Sequence, residues 1–402
     1  MRFFTTPRFI NCVTILSVFI TEIATDIYLP STRCLMLEFH STQKMVALTL
    51  SSNFAGLALS APFYGALSDS IGRKPTVLLG LGVFALMSFA CAYANSLEML
   101  VFLRLIQGIG AGVTYPVGVA VQKDIYSGRQ FAKARATMSV VCAAAPALGP
   151  VLGGYLVSFV SWHWTFISVA VAAMLVILIL LLQPETLDAR YRKPFCFSRM
   201  TESYRQLFRQ RIFMKYAMIV GCVSSIYWSF LSGMTFLFLD HFKISEHEYP
   251  YYQLVLVCVF IGGTVVNRFL TNTRSPDALI EKTLSLSTIS CFAFVLVTVI
   301  LPDHPLTIIT CMIPICACLG VLFPNIGLRA IEVATHAKGY ASAAYTTAEL
   351  LFPAIAVEIV GKMYNARAFT IVIFMMLLHI VALGIWHYYE PQQITPYIDK
   401  HT

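Results

Sequence analysis

Charged residues are scarce in this sequence. Asp, Glu, Lys and Arg together account for 12% of its 402 residues, whereas hydrophobic residues account for 58%. Soluble domains usually contain roughly 25% charged residues. A chain with so little charge cannot cover a water-exposed surface. The composition therefore excludes a soluble globular protein and predicts an integral membrane protein.

Sequence motifs for enzymatic or metal chemistry are also missing. We find no HExxH, no GxSxG and no glycine-rich phosphate-binding loop. The 11 cysteines fall almost entirely within apolar stretches, and none is spaced as a metal-ligand pair with histidine partners. These absences argue against an enzyme and against a bound metal or other cofactor. They favour cysteines that serve as small apolar packing residues.

Long apolar stretches are abundant instead. A membrane-spanning helix needs about 20 mostly apolar residues, and the sequence contains twelve stretches of this kind. The first is too long for a signal peptide, lacks a small-residue cleavage site and leads into further spans, which predicts a retained helix. The sequence therefore predicts an all-α, multi-pass membrane protein. Numbered in chain order, the predicted spans centre on 9–30, 45–65, 75–94, 98–119, 136–158, 163–183, 213–239, 250–270, 283–301, 306–327, 339–361 and 368–389.

Lys and Arg are distributed unevenly between the two sides of the predicted spans. With the N-terminus placed in the cytoplasm, 22 of the 28 Lys and Arg residues fall on the cytoplasmic side and 5 on the opposite side, while Arg104 lies inside span 4. Cytoplasmic loops of membrane proteins carry such an excess of basic residues. The pattern predicts cytoplasmic N- and C-termini. It also explains the net charge of +8 without a nucleic-acid partner.

The longest break between apolar stretches divides the spans into two groups of six. It contains PETLDARYRKP followed by a basic, amphipathic segment from Ser203 to Lys215, which predicts a linker helix on the membrane surface. Two similar runs, GVTYP in span 4 and GVLFP in span 10, favour a parallel repeat of six-span halves, one known plan of transporters. The predicted organisation is an N-terminal six-helix bundle (1–183), a cytoplasmic linker (184–212), a C-terminal six-helix bundle (213–390) and a cytoplasmic tail (391–402).

The turn between spans 2 and 3 reads GALSDSIGRK and concentrates charge between two uncharged stretches. Gly65 is expected to allow close helix approach, and Gly72 a tight reversal of the chain. Asp69 can pair with Arg73 and Lys74 at the helix end. From the charges alone two interpretations stay open. The turn is either a latch that holds one conformation or a basic membrane anchor in which the aspartate is incidental.

This turn resembles the signature of the major facilitator superfamily, G-x-L-[A/S]-D-[R/K]-x-G-[R/K]-[R/K]. It departs from that signature at Ser70, where the family usually has a basic residue. The resemblance implies that Asp69 and Arg73 stabilise an outward-facing state through a charge network. In the family this network reaches span 11 and the end of span 4. Asp124, which follows span 4, stands where the family places the third partner.

Spans 4 and 5 carry two further matches to this superfamily. Span 4 contains RLIQGIGAG, similar to R-x-x-Q-G-x-G-A. Span 5 contains APALGPVLGGYL, similar to the antiporter motif G-x-x-x-G-P-x-x-G-G with Ala145 in place of the first glycine. An unpaired arginine in hydrocarbon costs at least ~2.5 kcal/mol, so we expect Arg104 to face a central cavity and find a partner there. Span 5 is expected to form a pliable, closely packed helix through Gly149, Pro150, Gly153 and Gly154.

Span 1 contains TEIATDIYLP, which places Glu22 and Asp26 four residues apart on one helical face. Two neighbouring carboxylates repel each other when both are ionised, so one of them can hold a proton and release it when a cation or water enters. The alternative is that Asp26 only reaches the outer membrane interface, where Pro30 ends the helix. The DIYLP run resembles the bicyclomycin/chloramphenicol-resistance (Bcr/CflA) branch of the drug:proton antiporters, although STR replaces the tail of that pattern.

The second half carries fewer matches. Its turn between spans 8 and 9, NRFLTNTRSPD, keeps Arg268 but lacks the glycine and aspartate pattern of the first turn. Glu349 in span 11 is a candidate functional residue because of its depth, unless a nearby Lys or Arg pairs with it. The aromatic residues of span 7 either line a cavity or face lipid. The predicted proton-coupling residues are Glu22, Asp26, Arg104 and Glu349, and the predicted cavity lining is Tyr28, Gln107, Tyr115, Tyr227 and Trp228.

Together the resemblances imply the fold and mechanism of the superfamily, with two six-helix bundles around a midplane cavity that work by alternating access in a bacterial inner membrane. The Bcr/CflA resemblance implies export of small amphipathic or cationic compounds in exchange for protons, by a monomer without a cofactor. Two alternatives stay open: a proton-coupled importer of a nutrient or metabolite, and a non-transporting sensor on a carrier fold. The GP-GG run of span 5 favours exchange over import.

Overall fold

Helices that can cross a membrane make up most of the chain. The computed structural model describes residues 5–334 and 338–389, and within them twelve helical segments are long and apolar enough to span a bilayer. They coincide with the twelve predicted spans, which are confirmed. The predicted tail, 391–402, lies outside the described residues. The spans run over Pro7–Glu38, Gln43–Ile71, Arg73–Ala92, Leu97–Ile125, Gly128–Phe159, His163–Leu181, Arg211–His241, Tyr249–Leu270, Pro276–Ile300, Pro305–Glu332, Gly339–Met363 and Ala368–Tyr388.

Span 1 does not end at Pro30 as expected. Its first helix covers Pro7–Asp26, and its starting proline lies where a missing N–H costs nothing. Leu29–Ser31 then form one tight helical turn, and a second helix continues over Thr32–Glu38. Pro30 is tolerated because it lies at the start of that tight turn, where no intrahelical bond needs its N–H. The proline therefore interrupts the span without ending it.

The two groups of spans share a close backbone contact at corresponding places. In the first group, a Cβ added to Gly56 of span 2 would lie 2.1 Å from the Leu105 carbonyl oxygen of span 4. In the second group, a Cβ on Gly263 of span 8 would lie 2.3 Å from the Ala317 carbonyl oxygen of span 10. Gly263 follows Gly56 by 207 residues, close to the 208 that separate the GVTYP and GVLFP runs. Because such contact requires glycine, the shared geometry favours the predicted repeat.

Buried apolar side chains form separate cores in the two groups of spans. One cluster draws on spans 7–12 and the end of the linker, and it includes Phe230 and Phe294. A second cluster, which includes Leu81, draws on spans 1–6 alone. A third joins the two groups, with Phe54 from span 2 and Leu231 from span 7. The division into two bundles stays a prediction, and this distribution of cores favours it.

The linker contains a helix, but its bounds differ from those of the predicted segment, 203–215. The helix covers Phe197–Phe208, and span 7 begins three residues later. Lys215 belongs to span 7, where its ammonium lies 3.6 Å from the centre of the Trp386 ring and donates to the Tyr389 carbonyl oxygen at 3.0 Å. The predicted amphipathic segment, 203–215, is therefore wrong in its second part, because these two contacts hold Lys215 inside the bundle.

Candidate functional site

The side chain of Glu22 is accessible, and it faces a space inside the protein. Within residues 20–32 of span 1, every residue except Glu22 is buried. Its carboxyl lies within electrostatic reach of Cys142 on span 5 and of Glu349 on span 11. These neighbours belong to both groups of six spans, so the side chain is exposed to a space between the groups and not to lipid. This position fits the predicted cavity.

Glu349 borders the same space from the second group of spans. Its side chain is half-buried and lies close to Tyr345, one turn earlier on span 11, and to Tyr115 of span 4. Among the residues that the structure describes, no Lys or Arg pairs with Glu349, and its charged neighbour is Glu22. The alternative of a simple salt bridge is therefore not realised in the described part of the chain.

Arg135 adds a basic group to this space, although its sequence position predicts a loop between spans 4 and 5. The helix of span 5 begins at Gly128, seven residues earlier, so Arg135 lies inside the span. Its Nη2 is 3.5 Å from Tyr115 Oη, and its guanidinium carbon is 5.5 Å from the centre of the Tyr115 ring. Its Nη1 is buried without a hydrogen-bond partner in the described residues. Glu22, Tyr115, Arg135 and Glu349 are called the central site below.

Asp26 occupies a different environment from Glu22, although both lie on the same helical face. Its side chain is 3% exposed, and its Oδ1 has no hydrogen-bond partner within the described residues. Gly149 of span 5 packs directly on it, since a Cβ at Gly149 would lie 2.5 Å from Asp26 Cβ. The alternative in which Asp26 reaches the membrane interface is not realised, because Asp26 is buried and span 5 packs on it.

The glycines of span 5 contact both groups of spans. A Cβ at Gly153 would lie 2.1 Å from the Ile27 carbonyl oxygen of span 1, and a Cβ at Gly154 would lie 2.4 Å from the Glu246 carbonyl oxygen just before span 8. Pro150 lies inside a continuous helix. The close packing expected of this segment is present, and its role in exchange stays a prediction.

Arg104 does not face the space that contains Glu22. It is fully buried among the first six spans, with its guanidinium carbon 4.7 Å from the centre of the Tyr28 ring and 5.7 Å from that of Phe166. Its Nη1 donates to Gln107 Oε1 at 2.7 Å, while Nε and Nη2 have no partner within the described residues. The expectation that Arg104 faces the cavity is therefore wrong, because two aromatic rings and an amide hold this cation inside the bundle.

Two residues predicted to line the cavity belong to the surroundings of Arg104 instead. Tyr28 is fully buried and hydrogen-bonded to Thr49. Gln107 is also fully buried, and its Nε2 donates to Ser88 Oγ at 2.6 Å. Their assignment to the cavity lining is wrong in this structure, because both side chains are committed to positioning the buried arginine.

The aromatic pair of span 7 lies at the contact between the two groups of spans. Tyr227 and Trp228 are half-buried, and Trp228 packs edge-to-face on Phe54 of span 2 with ring centres 4.6 Å apart. Tyr227 is within electrostatic reach of Asp26. The two rings therefore do not face lipid alone, because both have neighbours in the first group of six spans. Their contact with substrate stays a prediction.

The turn between spans 2 and 3 forms a charge network with the end of span 4. Arg73 Nε donates to Asp124 Oδ2 at 3.0 Å, and its Nη1 donates to Asp69 and, at 2.8 Å, to Ser68 Oγ. Lys74 donates instead to two backbone carbonyls near the end of span 6, at 2.9 and 2.7 Å. Within the described residues, no hydrogen bond or ion pair links this network to span 11. Its effect on the conformational equilibrium stays a prediction.

The two glycines of this turn have different surroundings. Gly72 has a φ of 109°, which glycine adopts without strain, and it forms the expected reversal. A Cβ at Gly65 would meet no atom within 4 Å. The expectation of a close helix approach at Gly65 is therefore wrong, because the side of span 2 on which its Cβ would lie has no neighbouring atoms against it.

Glu185 is a member of the network that the charge pattern of the turn does not predict. Its carboxylate accepts hydrogen bonds from the backbone N–H groups of Arg73, at 3.0 Å, and Lys74, at 3.2 Å, the first residues of span 3. A negative charge is favourable at a helix N-terminus. Here it also offsets the two basic side chains at the same end. The available sequence signal was the PET run directly after span 6.

We expect Glu185→Gln to lower the melting temperature of the purified protein. The amide keeps an acceptor oxygen but removes the charge that faces the helix N-terminus, a loss of about 1 kcal/mol. Thermal unfolding in detergent measures the change, and Glu202→Gln, which alters an exposed carboxylate of the same linker, is the matched control. Identical melting of the two variants would contradict the role given to Glu185.

A second charge network stands at the corresponding place in the other group of spans. Arg329 donates to both carboxylate oxygens of Asp277, at 2.8 and 3.0 Å, and the Tyr216 hydroxyl donates to the same carboxylate at 2.7 Å. Asp277 follows Arg73 by 204 residues, and Arg329 follows Asp124 by 205. The two pairs therefore occupy corresponding positions of the repeat. The basic residue of one pair stands where the other pair has its acidic residue.

The exchange of charges changes how each pair interacts with the helix dipoles. Asp277 lies in the first turn of its helix and Arg329 in the last turn, where the dipole favours both. Arg73 is the first residue of its helix, and Asp124 is next to the last residue of its own, where the dipole disfavours both. The first pair therefore depends on the added carboxylate of Glu185.

Comparison with known proteins agrees with this fold. The family model described as Major Facilitator Superfamily matches residues 14–357. The chain is 27% identical over 343 residues to the uncharacterized MFS-type transporter YdgK of Bacillus subtilis, and the match covers 84% of each chain. It is 26% identical over 256 residues to the bicyclomycin resistance protein homolog of Haemophilus influenzae. That match covers 63% of this chain and 64% of the relative, just under two thirds of its length.

A solved structure shows the same architecture. The chain superposes on a bacterial homolog of the human lysosomal transporter Spinster, in an inward-facing and unoccupied conformation, with a TM-score of 0.76 at 15% identity. The superposition covers 95% of this chain and 96% of the other. The predicted twelve-span fold is confirmed, as is the relatedness to bicyclomycin-resistance proteins. The chain belongs to the Major Facilitator Superfamily and is a multi-pass membrane transporter.

Proposed function

We propose that this transporter exports small amphipathic or cationic compounds in exchange for protons across a bacterial inner membrane, as a monomer without a cofactor. The observation that carries the proposal is the central site, where the carboxyls of Glu22 and Glu349 share one internal space. These residues come from opposite six-span halves. In transporters built from repeats, substrate and coupling ions bind at the interface of the repeats near the midplane.

The charges of the central site favour competition between a proton and a cation. Glu22 and Glu349 repel each other when both are ionised, and Arg135 balances one of the two negative charges. A proton on one carboxyl relieves the remaining repulsion, and a cationic substrate between them does the same. Because each relieves the same repulsion, each weakens the binding of the other. Exclusion of this kind is the thermodynamic condition for exchange.

Contacts between the bundles support alternating access, with this structure open toward the linker. On the face opposite the linker, Arg33 pairs with Glu246 at 3.4 Å, and Gln43 donates to Asp240 at 3.2 Å, so the two bundles are joined there. On the linker side, no side-chain hydrogen bond within the described residues joins span 4 to span 10. Because the basic residues place the linker in the cytoplasm together with both termini, we assign the structure to an inward-facing state.

The predicted latch agrees with this assignment. The network around Arg73 is expected to stabilise the outward-facing state through span 11, and within the described residues it reaches span 4 and the linker but not span 11. The relative from H. influenzae adds support for export, because its name refers to drug resistance, which export produces and import does not.

Transport by reconstituted protein tests the proposal. Proteoliposomes are loaded with ethidium or tetraphenylphosphonium, and the outside is made acidic. We expect the cation to leave faster than without the gradient while a pH-sensitive dye reports protons entering. Movement of cation and proton in the same direction would support an importer, and binding without movement would support a sensor. Either result would contradict the proposal.

A further inference from the structure

Gln253 is a buried polar residue that the proposed mechanism does not use. It lies in span 8 and is 1% exposed. Within the described residues, neither its Oε1 nor its Nε2 has a hydrogen-bond partner. A buried amide without partners costs free energy, because it has given up its hydrogen bonds to water. Such a residue in a native protein requires a reason.

Gln253 and Asp26 lie on helices of opposite halves that pack against the same segment of span 5. Span 5 is packed against both of their helices, with Gly149 on Asp26 and Gly154 on the ring of Pro250, three residues before Gln253. Tyr249 shares a helical face with Gln253, since the two are four residues apart. Tyr249 is within electrostatic reach of Asp26. Asp26 of the first half and Gln253 of the second half therefore border one region.

This region has unused capacity for hydrogen bonds. Asp26 Oδ1 and Gln253 Oε1 are acceptors, and Gln253 Nε2 is a donor, all without partners in the described residues. The Tyr249 hydroxyl donates to Thr235 Oγ1 at 2.7 Å, because Thr235 Oγ1 gives its own proton to the Leu231 carbonyl oxygen, so the Tyr249 proton is not available to the two acceptors. Two acceptors, one of them a carboxyl oxygen, match a group that carries several N–H donors and a positive charge.

We propose that Asp26 and Gln253 form a second substrate site, closed in this structure, that binds the N–H groups of amine-bearing cations when the opposite face opens. The proposal rests on the proposed function and names the substrate class more closely. The ion pair of Arg33 with Glu246 and the bond of Gln43 to Asp240 close the face above this site. A cation that has no N–H group, such as a phosphonium, cannot satisfy the two acceptors and is not recognised there.

Binding of two probe cations to the purified full-length protein tests this site. Ethidium carries amino groups with N–H donors, and tetraphenylphosphonium carries none. We expect Gln253→Leu to weaken ethidium binding at least tenfold in equilibrium dialysis and to leave tetraphenylphosphonium binding within twofold of the original. Gln206→Leu, a change at a glutamine of the linker helix, is the matched control and should alter neither. An equal loss for both cations, or no loss for ethidium, would overturn the proposal.

A measurement on the unmodified protein covers the case in which Gln253→Leu does not fold. Octylammonium and octyltrimethylammonium have the same chain and charge but differ in N–H donors, and we expect the first to displace ethidium at a concentration at least tenfold lower. Equal displacement would overturn the inference. If the pH gradient drives both probe cations out of proteoliposomes but Gln253→Leu affects them equally, the inference alone fails. If the original protein binds and moves neither cation, the proposed function fails with it.

Discussion

Glu22→Gln is expected to reduce pH-gradient-driven efflux to the level of empty liposomes while the protein still folds. Glutamine has nearly the shape of the protonated glutamate, and within the described part of the chain Glu22 has no ion-pair partner whose charge would be left buried, so folding loses little. The variant, however, cannot give up a proton when a cation enters. Efflux of ethidium from proteoliposomes with an acidic exterior, together with the internal pH, measures the loss.

The same variant is also expected to bind cations more weakly. Removal of one negative charge from the central site leaves one carboxylate, Glu349, and the positive charge of Arg135, so affinity for ethidium should fall about tenfold, or about 1.4 kcal/mol. Glu358→Gln is the matched control, because Glu358 lies further along span 11 and is paired with Lys362. Unimpaired pH-driven efflux in Glu22→Gln would remove Glu22 from the mechanism, whatever the control shows.

The fold was predictable because its main constraint acts on the length of each apolar run in the sequence. Each span must cross a fixed thickness of hydrocarbon, so a run of about 20 apolar residues marks it without knowledge of its neighbours. The ends were less predictable, because charged residues there are stabilised by particular partners. Lys215 illustrates this, since the sequence assigns it both to the amphipathic segment 203–215 and to the start of span 7, while the ring of Trp386, 171 residues away in sequence, holds it inside the bundle.

The sequence indicated how deep in the membrane the candidate residues lie. It did not indicate which neighbours their side chains face. Glu22, Glu349 and Arg104 stand out because ionisable residues are rare within spans, and periodicity indicates how far along a helix each one lies. Which side chains surround them depends on how the helices pack. Arg104 is held by rings from spans 1 and 6, a choice of partner that no spacing within span 4 encodes. Gln253 gives no sequence signal at all, because an uncharged amide within a span is unremarkable until its lack of partners is known.

Comparison of the two halves of the sequence detects the repeat at glycines that make backbone contacts. It does not detect the repeat at the charge pairs. Glycines recur in both halves because only glycine permits helices to touch at those points. An ion pair, by contrast, still forms when its acidic and basic residues exchange positions. Arg73 with Asp124 and Asp277 with Arg329 therefore look unrelated when residue types are compared, although both join the start of one span to the end of the next.

Gly153→Ala is expected to impair both stability and transport, whereas Gly65→Ala is expected to leave both intact. At Gly153 the added Cβ would lie 2.1 Å from the Ile27 carbonyl oxygen. That oxygen belongs to the backbone, so no side-chain rotation relieves the overlap. Span 1 must shift instead, at a cost of about 2–3 kcal/mol, and it carries Asp26 and Glu22 with it. Thermal unfolding in detergent and ethidium efflux measure the two effects.

Gly65→Ala is the informative control because Gly65 belongs to the signature turn but a Cβ there would meet no atom within 4 Å. Alanine in an open helical position is favoured over glycine by about 1 kcal/mol, so this variant should melt at the same temperature or slightly higher. If Gly65→Ala were as damaging as Gly153→Ala, the turn would need a close helix contact in another conformation. If Gly153→Ala were harmless, spans 1 and 5 would not be packed backbone to backbone during transport, and the positions given to Glu22 and Asp26 would fail with that contact.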